Sequence, residues 1–213
     1  MNNNKLEQCS WFNELPLIAI LRGIEPEEVI AVTEELLDVG FRYIEIPLNS
    51  PQALKSISLV VDKFGDQAVV GAGTVTSIEK LLPVIETGAK LIVTPNMNPD
   101  VIRKAREHDC VIFSGIQTPT EAFTALECGA SALKLFPAEL IQPNGLKAIR
   151  SVLPPEVICC PTGGIDANPE QMRAYVQAGA NGFGLGSGLY KKGLNLSQIR
   201  KRAHAYRDSW MSI

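Results

Sequence analysis

Residues 17–49 read LIAILRGIEPEEVIAVTEELLDVGFRYIEIPLN. A short apolar run opens the stretch, Arg22-Gly23 breaks it, and a helical pattern follows. From Pro26 to Val39 the apolar positions Val29, Val32, Leu36 and Leu37 fall on one helical face, with Glu27, Glu28, Glu34 and Glu35 elsewhere. Gly40 stands just past that helix, and a second β-rich run begins at Tyr43. A strand, an amphipathic helix and a strand in so few residues predict a right-handed crossover between parallel strands.

The same unit recurs outward along the chain. Eight runs, LIAILRG, YIEIPLN, VVGAGTV, LIVTPN, VIFSG, ALKLFP, VICCPTG and GFGLGS, begin near Leu17, Tyr43, Val69, Leu91, Val111, Ala132, Val157 and Gly182. Each is a handful of residues bounded by Gly, Pro or Asn, as buried parallel strands are. Helical patterns separate them; the one from Pro119 to Glu127 has Thr120 placed as its cap. Gly40, Gly65, Gly88, Gly129 and Gly179 sit where left-handed helix ends are expected. Eight units without a long insertion predict an α/β fold, a single closed parallel (β/α)8 TIM barrel over residues 1–213. An open doubly wound sheet would carry a Gly-rich turn after its first strand, and Arg22-Gly23-Ile24 is not one. Residues 1–15 are expected to form a helix across the barrel floor.

Composition narrows the function. Of 213 residues, 46% are hydrophobic and 20% charged, enough apolar material for a core and no mark of disorder. With a net charge of −3 and no long Lys/Arg run, no nucleic-acid partner is expected. The apolar run near the N-terminus is broken by Pro16 and leads into Arg22, unlike a secretory signal. No stretch approaches the roughly 18–20 apolar residues of a bilayer span, so no membrane partner and a cytoplasmic place are expected.

Active sites of such barrels form at the C-terminal ends of the strands. Lys134 interrupts the run Ala132-Leu133-Lys134-Leu135-Phe136. Strand alternation sends Leu133 and Leu135 to the helix-packed wall and Lys134 inside. A lysine held away from water favours its neutral amine, which can attack a ketone and form an imine. Glu45, between Ile44 and Ile46, is by the same alternation the one inward carboxylate of the eight runs. The pair reads as nucleophile and proton shuttle, or as two charges that simply neutralise each other. Arg22 ends the first run, where its planar fork suits a carboxylate or phosphate, or a rim salt bridge. Thr74 and the Thr94-Pro95-Asn96 turn end the third and fourth runs and either line a pocket or shape turns. The last two runs end in Pro161-Thr162-Gly163-Gly164-Ile165 and Gly184-Leu185-Gly186-Ser187-Gly188. Glycines there let backbone N–H groups approach an anion, at the place where barrels often bind phosphate.

Only two histidines occur, His108 and His204, both in helical patterns. The five cysteines include no C-x-x-C spacing, and the adjacent Cys159 and Cys160 read as buried thiols on opposite strand faces. No metal-ligand cluster is therefore expected.

Ile-Leu-Arg-Gly at 20–23, Glu-Ile-Pro-Leu-Asn-Ser-Pro at 45–51, Gly-Ala-Gly-Thr at 71–74, Val-Thr-Pro-Asn at 93–96, Leu-Lys-Leu-Phe-Pro at 133–137, Pro-Thr-Gly-Gly-Ile at 161–165 and Gly-Ser at 186–187 carry a further signal. Through them the chain resembles the family of 2-keto-3-deoxy-6-phosphogluconate (KDPG) and 2-keto-3-deoxy-6-phosphogalactonate (KDPGal) aldolases, from Leu15 to about Arg207. The resemblance implies a Schiff-base lysine at Lys134 and a general acid/base at Glu45. It places the substrate carboxylate near Arg22, Thr74 and Pro95, Phe136 beside the imine, and the phosphate against Gly163, Gly164, Gly186 and Ser187. It also implies a homotrimer that uses no metal or organic cofactor and takes a phosphorylated 2-keto-3-deoxy sugar acid and pyruvate as its small-molecule partners.

The gluconate type carries an Arg after its glutamate, in Leu-Arg-Thr. Leu48-Asn49-Ser50 and Leu21-Arg22-Gly23 instead look like the galactonate type, whereas Phe136-Pro137-Ala138-Glu139 and Cys160-Pro161-Thr162-Gly163-Gly164 look like the gluconate type. The reading favours 2-dehydro-3-deoxy-6-phosphogalactonate as substrate. Its C4 epimer, or 4-hydroxy-2-oxoglutarate, is the first alternative. A phosphate-binding barrel isomerase or synthase is the second, and a non-enzymatic ligand sensor the third.

Overall fold

Eight parallel strands form one sheet in the computed structural model of the chain, which describes residues 10–213. They are β1 (Leu17–Ile20), β2 (Tyr43–Pro47), β3 (Val69–Gly73), β4 (Leu91–Val93), β5 (Val111–Ile116), β6 (Ala132–Leu135), β7 (Cys159–Pro161) and β8 (Phe183–Leu185). The connecting helices are α2 (Pro26–Val39), α3 (Ala53–Phe64), α4 (Ile78–Glu86), α5 (Pro99–Glu107), α6 (Pro119–Cys128), α7 (Ala138–Arg150) and α8 (Pro169–Gln177). A short α1 (Ser10–Glu14) precedes β1, and α9 (Leu196–Met211) follows β8. Strand neighbours in sequence are neighbours in space, and β8 returns to pair with β1, Leu17 opposite Phe183 and Ala19 opposite Leu185. An isolated parallel bridge, Thr162 to Gly184, joins β7 to β8. This is the (β/α)8 TIM barrel that the eight runs predict, and the open sheet is excluded.

Alternation along each strand builds two cores. Ile44, Ile46, Leu133 and Leu135 join the cluster between sheet and helices. Ile18, Tyr43, Val93, Phe113, Ala132 and Cys160 fill the lower interior. Cys159 belongs to the outer cluster and Cys160 to the inner one, two buried free thiols on opposite faces. Phe12 of α1 packs into the inner cluster, its ring centroid 5.5 Å from that of Tyr43 and 6.2 Å from that of Phe113. Of the helix expected over residues 1–15, residues 1–9 (Cys9 among them) lie outside the described residues. Among the described residues no helix is long and apolar enough to cross a membrane.

Three local expectations are corrected. The cap of α6 is Thr118, not Thr120: its Oγ1 accepts from the Glu121 N–H, and the Glu121 carboxylate accepts from the Thr118 N–H in return. Pro119 opens that helix, so Thr120 already lies inside it. Gly65 takes φ −63°, an ordinary right-handed helical end, whereas Gly40, Gly88, Gly129 and Gly179 are left-handed as expected. The seventh strand starts at Cys159 rather than near Val157, because the Val157 carbonyl is held by Arg150 at 2.7 Å, outside the ladder.

Closure brings backbones together at defined glycines. A Cβ on Gly71 would stand 1.8 Å from the Leu91 carbonyl oxygen on β4. The obstacle is main chain, which no rotamer change can move. Gly71→Ala is therefore expected to cost about 3 kcal/mol, the upper end for overpacking. Urea unfolding reads this directly, and an unchanged midpoint would refute the close approach of β3 and β4.

Candidate active site

Lys134 on β6 and Glu45 on β2 both point into the barrel above the apolar floor. They are 6% and 1% exposed, and Lys134 Nζ stands 3.6 Å from Glu45 Oε1, an ion pair wider than a hydrogen bond. Space for the carboxylate comes from Gly73 on β3, where a Cβ would lie 1.4 Å from Glu45 Oε2. The Phe136 ring, half-buried just past β6, faces Lys134 with its centroid 5.1 Å from Nζ. Burial pushes the Glu45 carboxyl above its ordinary range, and the charges of Lys134 and Arg22 pull against that rise without cancelling it.

A cavity of about 600 Å³ opens over this pair. It shares Ile20, Lys134, Thr162 and Gly184 with the narrow cleft that holds Glu45. Arg22, Phe136, Gly163, Gly164, Gly186 and Ser187, each singled out in the sequence, line its walls. Gly163 and Gly164 take φ 95° and 68° in succession, a left-handed turn that side chains rarely adopt. The backbone N–H groups of Gly163, Gly164, Gly186 and Ser187 donate to no other described residue. Four such donors at the wall of a cavity have the chemistry to receive an anion.

Thr74 and Pro95 are not among the walls of that cavity. Thr74 follows Gly73 directly with φ 60°, a strained conformation for a β-branched residue that costs about 1–3 kcal/mol. Pro95 follows β4, and its carbonyl carbon would lie 2.3 Å from a Cβ placed on Gly115 of β5, the neighbour of Lys134 in the ladder. Arg22 donates from Nη1 to the Asn49 side-chain oxygen at 2.8 Å, and the Gly23 N–H donates to Ser50 Oγ at 2.9 Å. The turns after β1 and β2 are thereby clamped, and Arg22 is held by a neutral partner that leaves its charge in place.

Some of the site escaped sequence reasoning. Thr162, buried, lines both the cleft and the cavity, and its place directly after β7 was the available signal. Asp166, Tyr190, Lys191 and Lys192 also line the cavity. No periodicity or motif marks them; only their nearness in sequence to the two glycine-rich turns does.

The chain and its fold are similar to those of known proteins. The sequence model of a family described as KDPG and KHG aldolase matches residues 9–202. The chain is 45% identical over 196 residues to the 2-dehydro-3-deoxy-6-phosphogalactonate aldolase of Escherichia coli (strain K12), covering 92% of this chain and 95% of that protein. A solved structure described as native KDPGal superimposes with a TM-score of 0.90 at 44% identity, over 93% of this chain and 95% of the other. The KDPG aldolase of Legionella pneumophila, solved with pyruvate captured as a covalent carbinolamine, superimposes with a TM-score of 0.82 at 27% identity, over 92% and 96% of the two chains.

The buried carboxylate has a measurable signature. Unfolded, Glu45 ionises near its ordinary 4.5; folded, it ionises only at higher pH. Between those values the folded state holds the extra proton, so this group lowers stability as pH rises. Glu45→Gln lacks that proton. Urea unfolding of both proteins from about pH 4 to 8 is expected to show the wild type losing stability relative to the variant as pH increases. A wild type that gains on the variant instead would contradict the desolvated carboxylate.

Proposed function

This chain belongs to the KDPG and KHG aldolase family and is a carbon–carbon lyase, and we propose that it cleaves 2-dehydro-3-deoxy-6-phosphogalactonate to pyruvate and D-glyceraldehyde 3-phosphate through a Schiff base on Lys134. The observation that carries the reading is the buried Lys134–Glu45 pair, 3.6 Å apart, beneath a glycine-lined cavity.

The neutral amine of Lys134 adds to the C2 ketone, and the adduct takes the Glu45 proton and expels water, giving a protonated imine and the Glu45 carboxylate. Glu45, through a water, removes the proton of the C4 hydroxyl. The C3–C4 bond breaks, its electron pair moves into the imine as an enamine, and C4 leaves as the aldehyde of glyceraldehyde 3-phosphate. Glu45 returns its proton to C3, and water hydrolyses the protonated imine to pyruvate and free lysine, the released proton going back to Glu45. A carboxyl group raised above its ordinary range is the better matched to give as well as take a proton near neutrality. Phe136 covers the imine. The phosphate meets the N–H groups of Gly163, Gly164, Gly186 and Ser187, and the carboxylate lies toward Arg22, Thr74 and Pro95. No step requires a metal or an organic cofactor.

The choice of the galactonate epimer rests on Asn49, where gluconate-type enzymes carry an Arg, and on 45% identity to a protein of that name. The epimers differ only at C4, so parallel assay of both substrates decides between them. We place the reaction in the cytoplasm, because sugar acids charged at both ends cross a bilayer core only at great cost. A homotrimer is part of the same reading, and light scattering is expected to give three times the 23.1 kDa chain mass.

Borohydride reduction with pyruvate present, followed by peptide mass spectrometry, tests the chemistry. A pyruvate-sized adduct is expected on the peptide that carries Lys134, and Lys134→Ala is expected to abolish both adduct and turnover. An adduct on another lysine, or undiminished turnover in the variant, would remove the Schiff-base mechanism.

A further inference from the structure

We propose that Lys191 supplies the mobile positive charge of the cavity's anion end, and that it makes the site select a phosphorylated substrate over an unphosphorylated 2-keto-4-hydroxy acid. The inference rests on the reading of the glycine turns as a phosphate cradle.

A phosphate monoester carries roughly −1.5 to −2 charges near neutral pH. Backbone N–H groups offer only partial charges to such a dianion, so a walled site needs full counter-charge as well. The charged side chains of the cavity wall are Arg22, Lys134, Asp166, Lys191 and Lys192. Two of the cations are already paired: Lys134 faces Glu45, and Lys192 Nζ is 2.5 Å from Glu25 Oε1. Arg22 keeps its charge, but Asn49 fixes its guanidinium, and the proposed reading assigns it to the substrate carboxylate. Asp166 repels an anion. The Lys191 side chain makes no hydrogen bond and no ion pair with another described residue, while its carbonyl accepts from the Leu194 N–H at 3.2 Å.

Its neighbours hold it at the wall. Tyr190, 2% exposed, donates its hydroxyl to Glu28 Oε1 at 2.7 Å, and Lys192 is anchored to Glu25 on the other side. Glu25 and Glu28 form the capping box at the start of α2, so two fixed points on a helix end bracket Lys191. The backbone is thereby pinned while the side chain stays exposed and free to swing. A lysine suits that task, being a compact point charge on a flexible stem.

Calorimetric titration with inorganic phosphate tests the assignment without requiring turnover. K191M is expected to bind phosphate at least about tenfold more weakly than the wild type, the scale of a charge-assisted hydrogen bond, and K191R to restore most of the affinity. K201M, which removes an exposed lysine of α9 outside the cavity wall, is the control for net charge alone. In steady-state assays the loss in K191M is expected in KM for the phosphorylated substrate rather than in kcat. Equal phosphate binding by K191M and wild type, equal losses in K191M and K201M, or no phosphate binding by the wild type would each overturn the role of Lys191. Failure of pyruvate to label Lys134 would sink the aldolase reading instead, and the phosphate titration would still judge Lys191.

Discussion

Glu45 and Lys134 share the interior of a barrel whose lower half is filled by Phe12, Tyr43 and Phe113, and both are almost wholly withdrawn from water. Removing one partner of such a pair strands the other, typically at about 3–5 kcal/mol, yet the pair as a whole stabilises a fold no better than apolar side chains of the same volume. Its surroundings are fitted to it all the same. Gly73 vacates the space that Glu45 Oε2 occupies, and the Phe136 ring faces Lys134 Nζ. Packing alone does not account for these accommodations; the proposed reaction, which needs an amine and a carboxyl in the same place, does.

The mouth of the barrel is built on a different principle from its floor. Below, large rings interlock and exclude water. Above, consecutive left-handed glycines and free amide donors leave the main chain as the lining, and charge is brought in from the flanks. Much of that flank is organised by α2. Its first turn holds Tyr190 and Lys192 through Glu28 and Glu25, and its later turns hold Arg200 of α9 through Glu35 and Asp38. Exposed pairs of this sort contribute little stability one by one. Their effect is to fix the last turn of the barrel against the first, so that glycine turns from β7 and β8 and the arginine after β1 line one cavity.

The architecture was legible because each strand announces itself with a short apolar run between breakers, and because period-two alternation isolates an inward Lys134 and Glu45 among outward leucines and isoleucines. Cap details were less legible. Thr118 and Thr120 differ by two positions, and only the helix start at Pro119 decides between them. Gly65 shows that a glycine after a helix need not be left-handed. Contacts between distant residues were not legible at all. Arg22 meets Asn49 across 27 positions and Tyr190 meets Glu28 across 162, and neither partner bears a local mark of the other. Thr162 stood in view inside a motif chosen for its glycines, its own contribution to both cavities hidden by its neighbours.

The pairing of β8 with β1 bears on how the molecule comes into being. Every other junction from β1 to β7 joins strands adjacent in the chain, so those ladders can form as synthesis proceeds, each closing a modest loop. The first strand must wait for the eighth, with most of the polypeptide between them. Until then the growing sheet has a bare edge at β1, a template for pairing with another chain. Pairing of β8 with β1 is thus the long-range step of assembly, and it closes the barrel beside the glycine turn after β8 that lines the cavity.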